Sequence, residues 1–217
     1  MARNKYPEQT VEQILDISTK LFLKRGYDKT TIQDILDELK MSKGAIYHHF
    51  KSKEEILEAI MNNRASYAKK LLNYLIVNTA AENAKEKIKK IMIALVADTT
   101  SHSIDVILSS QIKNPQFVVA GIQSSVLYDA EIISKLFIDG ITDGSIQTDY
   151  PLECAEIFML LLNIWINPVL FNRDMQQTKQ RLEVLRQCMI QLGVDIISEE
   201  TIAQVIATYK NMNAFEK

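Results

Sequence analysis

The sequence predicts an all-α protein, and three observations support this prediction. Apolar side chains recur at the three- and four-residue spacing of a helix in block after block, and no stretch sustains the alternation of a strand. The 217 residues include only six glycines and four prolines, which are too few for a β-protein rich in turns. Apolar residues make up 47% and charged residues 24%, which is the composition of a folded chain with a buried core.

The first predicted helix runs from about Pro7 to Arg25. Pro7 suits the first turn, where its missing N–H is not needed, and Gly26 suits the left-handed residue that ends a helix. The residues expected to face the core are Val11, Ile14, Leu15, Leu21 and Phe22.

Two short helices are predicted next. Thr31 and Asp34 have the spacing of a capping box, which marks the start of a helix of about two turns. After a tight turn, Ser42 is suited to cap a third helix that ends near His49. The core-facing residues of these two helices are Ile32, Ile35, Leu36, Leu39, Ala45, Ile46 and Phe50.

A long fourth helix is predicted to begin with a second capping-box pair, Ser52 and Glu55. Its apolar residues are Ile56, Leu57, Ile60, Met61, Ala68, Leu71, Leu72 and Leu75. Further helices are expected near residues 83–99, 103–113, 115–139, 151–167, 174–193 and 199–211. Asp149 has the position of a cap for the helix at Pro151, and Pro168 should end or kink the helix before it, because proline lacks a backbone donor.

The cysteine content and the length of the apolar runs limit the classes of protein to which this chain can belong. Two cysteines, Cys154 and Cys188, cannot build a disulfide framework, and we expect both thiols to be buried in apolar helices. No apolar run reaches the roughly 18 residues of a membrane span, and no signal-peptide pattern opens the sequence. The sequence therefore predicts a cytoplasmic protein, rather than a secreted, collagen-like or transmembrane one.

Charge is distributed unevenly along the chain. Ten basic side chains against seven acidic ones give residues 1–53 a net charge of +3, although the whole chain has −2. Within this part, residues 40–53 contain four lysines, two histidines and no carboxylate. Such a patch favours an anionic partner, and a merely solvated lysine face is an equal alternative on charge alone.

The second and third helices, braced by the first, have the arrangement of a helix-turn-helix unit. The third helix is expected to point Lys43, Tyr47 and His48 outward while its apolar residues face the core. A helix with such a polar face fits a DNA major groove, and Gly44 keeps its surface low for close approach.

Two segments carry a resemblance to a known family. They are residues 26–32, GYDKTTI, and residues 41–53, MSKGAIYHHFKSK. In the glycine, the tyrosine, the histidine–phenylalanine pair and the following lysine, they resemble the DNA-binding domain of TetR-family transcriptional regulators. The departures are Leu36, Leu39 and Lys40, where many members have small residues and a glycine.

The resemblance implies two domains and an overall architecture. A three-helix helix-turn-helix domain would cover residues 1–53, with the fourth helix leading onward from about residue 52. A larger helical domain for ligand binding and dimerisation would cover residues 54–217. The implied function is a DNA-binding repressor that is released from its site by a small molecule.

The resemblance also assigns DNA contacts. Tyr47 matches the family tyrosine that packs on the DNA backbone, and Lys53 matches the lysine at the start of helix four that holds a phosphate. Thr31 and Ser42 begin helices two and three, where free backbone amides attract phosphate. The residues at base-contacting positions are Lys43, Gly44, Ala45 and His48.

A homodimer on a near-palindromic operator of double-stranded DNA follows from the same resemblance. Two-fold dimers place their recognition helices about 34 to 36 Å apart, on successive major grooves. Family architecture and apolar spacing together nominate an interface made of Ile157, Leu160, Leu161, Ile164, Leu182, Leu185, Met189 and Leu192. The alternative is that these side chains fill the core of a single chain.

The effector is expected to be small and mostly apolar, because few charged residues occur among the candidate wall residues of a pocket. These candidates are Met92, Leu95, Val96, Phe117, Ile122, Tyr128 and Trp165, with Gln123 and Asn163 as polar anchors. They are equally well suited to an ordinary core. A regulator controlled by a protein partner or by its thiol state is the alternative to a small-molecule effector.

Metal and catalytic sites are not predicted. Adjacent histidines such as His48 and His49 point about 100° apart on a helix and cannot share one metal. His102 is a lone histidine, and the sequence contains no phosphate-binding glycine loop and no nucleophile elbow. We therefore expect no cofactor, no metal and no enzyme activity, with an all-helical enzyme as the remaining alternative.

Overall fold

The computed structural model describes residues 7–100, Ile107 and residues 115–215, and within them it contains helices and no strand. The all-α prediction is confirmed. The helices of the first part are α1 (Pro7–Arg25), α2 (Ile32–Leu39), α3 (Lys43–Tyr47), α4 (Lys53–Asn78) and α5 (Ala84–Ala97). Those of the second part are α6 (Pro115–Ser124), α7 (Ala130–Thr142), α8 (Pro151–Leu160), α9 (Pro168–Phe171), α10 (Met175–Gln191) and α11 (Glu199–Asn211). The predicted helix over 103–113 and His102 lie outside the described residues, apart from Ile107.

Helix α1 ends and helix α2 begins at the residues that the sequence predicts. Gly26 ends α1 in the left-handed region, with φ 86°. Thr31 caps α2 in the predicted capping box with Asp34. Lys40 ends α2 at φ 53°, so a lysine adopts here the conformation that favours glycine.

Three predicted caps differ in the structure. Ser42 precedes α3 without a capping hydrogen bond from its side chain. Ser52 accepts the N–H of Glu55 at 3.2 Å, but the Glu55 carboxylate accepts the N–H of Lys51, so only half of that capping box forms. The N-cap position of α8 is held by Tyr150 rather than by Asp149, and the Tyr150 side chain makes no capping hydrogen bond.

Two helices of the second part contain π-helical turns, which their apolar spacing did not predict. Ser125–Asp129 joins α6 to α7, and Leu161–Trp165 continues α8. Pro168 ends the latter helix as predicted and begins the short α9.

The chain divides into two compact units. The first unit contains the described residues up to Lys70 together with Ile107, so it extends past the expected limit at residue 53. The reason is that the first turns of α4 pack into its core with Ile56, Leu57 and Ile60. The other large buried side chains of this core include Ile14, Phe22, Ile35 and Ile46.

The second unit contains Leu71–Thr100 and the described residues from 115 onward. Its core is built around Ile88, Ile91, Phe137, Phe158 and Ile166, all at most 2% exposed. Of the two cysteines, Cys154 is buried in this core as predicted. The thiol of Cys188 is exposed instead, because it lies one turn after the exposed Val184 on the outward side of α10.

Candidate nucleic-acid interface

The third helix separates a buried side from an exposed one, as the sequence predicts. Ile46 is fully buried and Phe50, just after the helix, is 7% exposed, so these two side chains fix α3 against the core. Ala45 is half-buried. The exposed residues on the other side are Ser42, Lys43, Gly44, Tyr47 and His48.

The exposed side of α3 is cationic and sterically open. The Nζ of Lys43 lies 5.6 Å from the ring centroid of Tyr47, one helical turn away. The ring of His48 meets the half-buried His49 edge to face, with centroids 5.0 Å apart. A Cβ atom built on Gly44 would have no heavy atom within 4 Å, so the surface has a low point between these side chains.

The start of α2 is already occupied by a carboxylate. Oδ2 of Asp34 accepts the Thr31 N–H at 2.8 Å and the Thr31 hydroxyl at 2.6 Å. Oδ1 of the same carboxylate pairs with Arg25 at 2.9 Å. The hydrogen bonds from Thr31, and then the Arg25 guanidinium, lower the pKa of Asp34. Thr31 is exposed where the resemblance places it, but its own polar atoms serve the helix cap.

Lys53 lies at the start of α4 as predicted, but its ammonium group is directed into the protein. Nζ donates to the carbonyl oxygens of Tyr27 at 2.8 Å and Thr30 at 2.9 Å. It also lies 4.2 Å from the centroid of the Tyr27 ring. These partners are 23 and 26 residues away in sequence, so no local pattern could have revealed them.

Tyr27 is the second residue of this contact and was not singled out from the sequence. It is 7% exposed, and its hydroxyl donates to Oε1 of Glu54 at 3.3 Å. Burial, followed by the nearby Glu54 carboxylate, raises the pKa of Tyr27 to about 12. The glycine–tyrosine pair of the motif was the available signal, since a tyrosine directly after a helix-ending glycine was part of the resemblance.

The candidate pocket residues of the second unit do not all come together. Met92, Leu95, Val96 and Trp165 pack, partly buried, against the second core. Ile122 is half-buried, Gln123 is exposed and Tyr128 is 67% exposed. Asn163 is exposed and donates from Nδ2 to Oγ of the buried Ser125 at 3.2 Å. The side chain of Phe117 lies outside the described residues.

Sequence reasoning did not single out Asp129, at the end of the first π-helical turn. It is half-buried, and burial raises the pKa of its carboxyl. Its polarity was the only available signal, because no motif includes it.

The candidate interface residues divide between the surface and the core. Ile157 is 40% and Leu192 37% exposed, and Leu160, Leu161 and Ile164 are half-buried. Leu182, Leu185 and Met189 are at most 1% exposed in the core of a single chain. The expectation that these three face a second chain is therefore corrected, because side chains covered by their own chain cannot be covered by another. Apolar spacing identified their face of the helix but not what covers it.

Across residues 7–100, Ile107 and 115–215, no group of three or more His, Cys, Asp or Glu side chains could hold a metal ion. None of the helices in the same part of the chain is long and apolar enough to cross a membrane.

A family profile described as "Bacterial regulatory proteins, tetR family" matches residues 14–60. These residues include all of α2 and α3, most of α1 and the first two turns of α4. The match thus covers the exposed side of α3 together with the core that supports it.

Relatives and solved structures extend the similarity beyond these residues. The HTH-type transcriptional regulator YerO of Bacillus subtilis (strain 168) is 35% identical over 97 residues, which are 45% of this chain and 34% of YerO. The HTH-type transcriptional repressor KstR2 of Mycolicibacterium smegmatis is 24% identical over 163 residues, which are 70% of this chain and 75% of KstR2. The crystal structure of a transcriptional regulator from Cytophaga hutchinsonii has a TM-score of 0.62 at 19% identity, covering 96% of this chain and 97% of that one. The last comparison shows a shared fold.

Proposed function

Because the chain belongs to the TetR family of DNA-binding transcriptional regulators, which are not enzymes, we propose that it is a repressor. In this proposal it binds a near-palindromic operator as a homodimer. A small, mostly apolar ligand releases it from the operator. The observation that carries the proposal is the division of α3 into a buried side and an exposed cationic side. The repressor role is supported by the relative KstR2, whose name describes a transcriptional repressor.

Base contacts come from the exposed side of α3 in this proposal. Lys43 donates to the N7 and O6 acceptors of a guanine, and His48 reaches the edge of a neighbouring base. Gly44 and Ala45 lie between them and let the helix approach the groove closely. Each good base contact of this kind supplies about 1 to 3 kcal/mol of discrimination against the wrong base.

Backbone contacts come from Tyr47 and from the start of α3. Tyr47 is 42% exposed, so its ring and hydroxyl are available to pack on and bond to the DNA backbone. Ser42 is exposed and makes no cap with its own side chain, which leaves its hydroxyl available to a phosphate oxygen. Lys53, at the start of α4, uses two of the three donors of its ammonium group on carbonyl oxygens of its own chain, so the third is left for a phosphate oxygen.

A homodimer is needed because one short helix reads too few base pairs to select a site in a genome. The exposed apolar side chains of α8 and of the second half of α10 supply the interface in this proposal. They include Leu152 and Ile157 on α8, Val184 and Ile190 on α10, and Leu192 just after it, each between 37% and 46% exposed. Burial of such side chains between two copies is the usual driving force for a stable dimer.

The effector binds in the second unit, against the partly buried residues Met92, Leu95, Val96 and Trp165. Asn163 and Ser125 supply polar groups at the π-helical turns, and such turns frequently occur at functional sites. The ligand acts by its different affinity for the DNA-binding and the released state, with a coupling of roughly 1 to 3 kcal/mol.

The experiment is a selection of bound duplexes from a randomised DNA pool, followed by sequencing and by sedimentation of the complex. We expect a near-palindromic consensus, two protomers per duplex and affinity that falls steeply with salt. Lys43→Ala should change the consensus, whereas Lys69→Ala, which removes an exposed lysine of α4, should keep it. A wild-type protein that selects no consensus, or binds as one protomer, would contradict the proposal.

A thermal-shift screen of apolar compounds tests the effector. A stabilising compound that also weakens binding to the selected duplex would support a small-molecule effector. If no compound stabilises the protein while an oxidant or a protein partner releases the DNA, the small-molecule effector is wrong. Control by the thiol state or by that partner then takes its place.

A further inference from the structure

We infer that Arg173 and Arg181 form a binding site for a carboxylate group beside Trp165, so that the ligand of the second unit is an apolar acid. The inference rests on the proposed binding of a small, mostly apolar ligand by this unit. It concerns residues of the second unit only. We call these three residues the arginine–tryptophan cluster.

The arginine–tryptophan cluster brings two guanidinium groups to one aromatic ring. The central carbon of each group lies 5.8 Å from the centroid of the Trp165 ring, within the distance of a cation–π interaction. Arg173 follows the short helix α9, and Arg181 lies in the second turn of α10. The two positive charges act on each other, because burial, followed by the charge of Arg181, lowers the pKa of Arg173.

Backbone carbonyl groups hold both guanidinium groups in place. Nη1 of Arg173 donates to the carbonyl oxygen of Trp165. Nη1 of Arg181 donates to the carbonyl oxygen of Gln177 at 2.8 Å. The backbone of Arg173 is also fixed, since its N–H donates to the Pro168 carbonyl at 2.9 Å. Charged groups that are oriented in advance lose less conformational freedom when a ligand binds.

One edge of the Arg181 guanidinium is left for a ligand. Because Nη1 is bonded to Gln177, the remaining edge consists of Nε and Nη2, and neither atom has a partner among the described residues. Nε is buried, and buried donors in proteins are nearly always hydrogen-bonded. The two parallel N–H groups of such an edge match the two oxygens of a carboxylate. A carboxylate therefore fits this edge in both shape and charge.

The positive charge of the cluster is not compensated locally. Within the part of the chain that the structure describes, neither arginine of the cluster forms an ion pair. Asp174, which precedes α10, uses its carboxylate in the capping box of that helix. Arg186 of the same helix is the contrasting case, since its Nη1 lies 3.6 Å from Glu183 and 3.8 Å from Glu199. The cluster is thus available to an anionic ligand, whereas Arg186 is not.

Trp165 also connects the cluster with the apolar side chains proposed to bind the effector. It packs, partly buried, against the second core, as do the other proposed wall residues Met92, Leu95 and Val96. Ligand sites are mostly apolar, with a few charged groups that fix the orientation of the ligand. An acid with an apolar body therefore matches the composition of this region better than a neutral compound.

Tryptophan fluorescence tests the inference, because Trp165 is the only tryptophan of the chain. The free protein is titrated with three acids of different shape, namely benzoate, octanoate and dodecanoate. The matched probes are benzyl alcohol, octanol and dodecanol, which keep the apolar body and lose the charge. Inorganic phosphate is an anion without an apolar body and completes the set.

Arg173→Gln and Arg181→Gln each remove one positive charge of the cluster and keep a polar side chain. Arg186→Gln is the matched control, because it removes an arginine of the same helix whose charge is already paired with Glu183. The Nε of Arg186 is also buried without a hydrogen bond, so the control differs from Arg181→Gln in charge compensation.

At least one of the three acids should bind the wild-type protein roughly tenfold or more tightly than its alcohol and than phosphate. Arg173→Gln and Arg181→Gln should each lower the affinity for that acid roughly tenfold or more, because each removes charged donors to the carboxylate. Both variants should keep the wild-type affinity for the alcohol. Arg186→Gln should bind the acid and the alcohol as the wild-type protein does.

The inference is overturned if none of the acids binds more tightly than its alcohol, or if the glutamine variants of the cluster bind the acid like the wild-type protein. It is also overturned if phosphate binds as tightly as the acids, since a free anion is then the ligand. Arginines that instead serve a contact between two copies would leave the fluorescence unchanged with every acid, and Arg173→Gln would weaken the dimer.

A failure of the proposed function is distinguishable from a failure of this site, because the titrations contain no DNA. A wild-type protein that binds the acid through both arginines yet keeps its selected duplex would contradict release by the ligand. The carboxylate site would stand in that case.

Quenching of Trp165 in the wild-type protein keeps the inference testable if the glutamine variants do not fold. Iodide and caesium are compared, each relative to its quenching of free N-acetyltryptophanamide. Iodide should be the relatively stronger quencher, and its advantage should shrink as sodium chloride is added, because positive groups beside the ring attract anions and salt screens them. Equal relative quenching by the two ions would overturn the inference.

Discussion

Arg25 and Asp34 form an ion pair that joins the last turn of α1 to the first turn of α2, with Nη1 of the arginine 2.9 Å from Oδ1 of the aspartate. The other oxygen of the same carboxylate closes the capping box with Thr31. One side chain therefore serves a local cap and a contact between helices. The two contributions differ in size and can be separated by substitution.

Thr31→Ala should lower the free energy of unfolding by about 1 kcal/mol, because it removes the hydroxyl that caps the Asp34 N–H. Arg25→Ala should change it by less, about 0.5 kcal/mol, since an exposed ion pair gains little in water. Urea unfolding of the two variants measures both values. An Arg25→Ala effect as large as that of Thr31→Ala would contradict this ranking.

Lys43→Ala should relax base preference at one position of each half-site, because it removes the predicted donor to guanine. The expected loss is about 1 to 3 kcal/mol on the preferred sequence, with little change on random duplexes. Competition binding with single-base variants of the selected duplex measures the loss. If the variant keeps the wild-type preference at every position, Lys43 does not read a base.

Gly44→Ala should separate folding from DNA binding. Its added Cβ meets no heavy atom within 4 Å, and alanine favours a helix over glycine by about 0.5 to 1 kcal/mol, so the unfolding free energy should rise. DNA affinity should nevertheless fall, because the methyl group stands on the surface that faces the groove. The expectation is wrong if affinity stays at the wild-type value.

Gly193→Ala provides the opposite case as a control. Gly193 has φ 78°, and a Cβ there would lie 1.7 Å from the carbonyl oxygen of Gln147. This substitution should lower the unfolding temperature strongly, because backbone must move to admit the methyl group. Thermal unfolding of both glycine variants should therefore shift in opposite directions.

Local sequence patterns predicted the elements of the first unit because their causes are local. Thr31 and Asp34 are three residues apart, and their capping box could be seen in the sequence. The exposed side of α3 also followed from its apolar residues, since Ile46 and Phe50 fix its orientation. Contacts between distant residues could not be predicted in this way, and the direction of Lys53 is an example.

In the second unit, apolar spacing marked helix faces without showing what covers them. Leu182 and Leu192 belong to the same predicted face, yet the first is 1% and the second 37% exposed. The π-helical turns were not predicted either. A π-helical turn contains one more residue than an α-helical turn, and neither the residue types nor the apolar spacing of these segments marks where that residue lies. The sequence therefore predicted the helices of this unit better than its surface.

Ile157→Glu should weaken the proposed dimer, because it places a carboxylate on an exposed apolar side chain of α8 while leaving the core intact. We expect the dimer dissociation constant to rise roughly tenfold or more, with DNA affinity falling in parallel. Sedimentation velocity over a range of concentrations measures it. Val77→Glu, at an 80% exposed position of α4, is the matched control and should leave the dimer unchanged. A dimer that tolerates Ile157→Glu would remove α8 from the interface.

Tyr27→Phe should reduce the alkaline sensitivity of the fold. The pKa of Tyr27 is about 12 in the folded protein, against an ordinary value of 10.0, so both states hold the phenolic proton below pH 10. Between pH 10 and about 12 the unfolded chain releases this proton while the folded chain keeps it, and stability falls as the pH rises. Phenylalanine has no such proton, so the stability of the variant should decline less across this range, although the hydrogen bond to Glu54 is lost.

Urea unfolding at intervals of pH measures the difference, with Tyr74→Phe as a control at an exposed tyrosine. Parallel pH profiles for the wild-type protein and Tyr27→Phe would show that the Tyr27 hydroxyl is not protected by the fold.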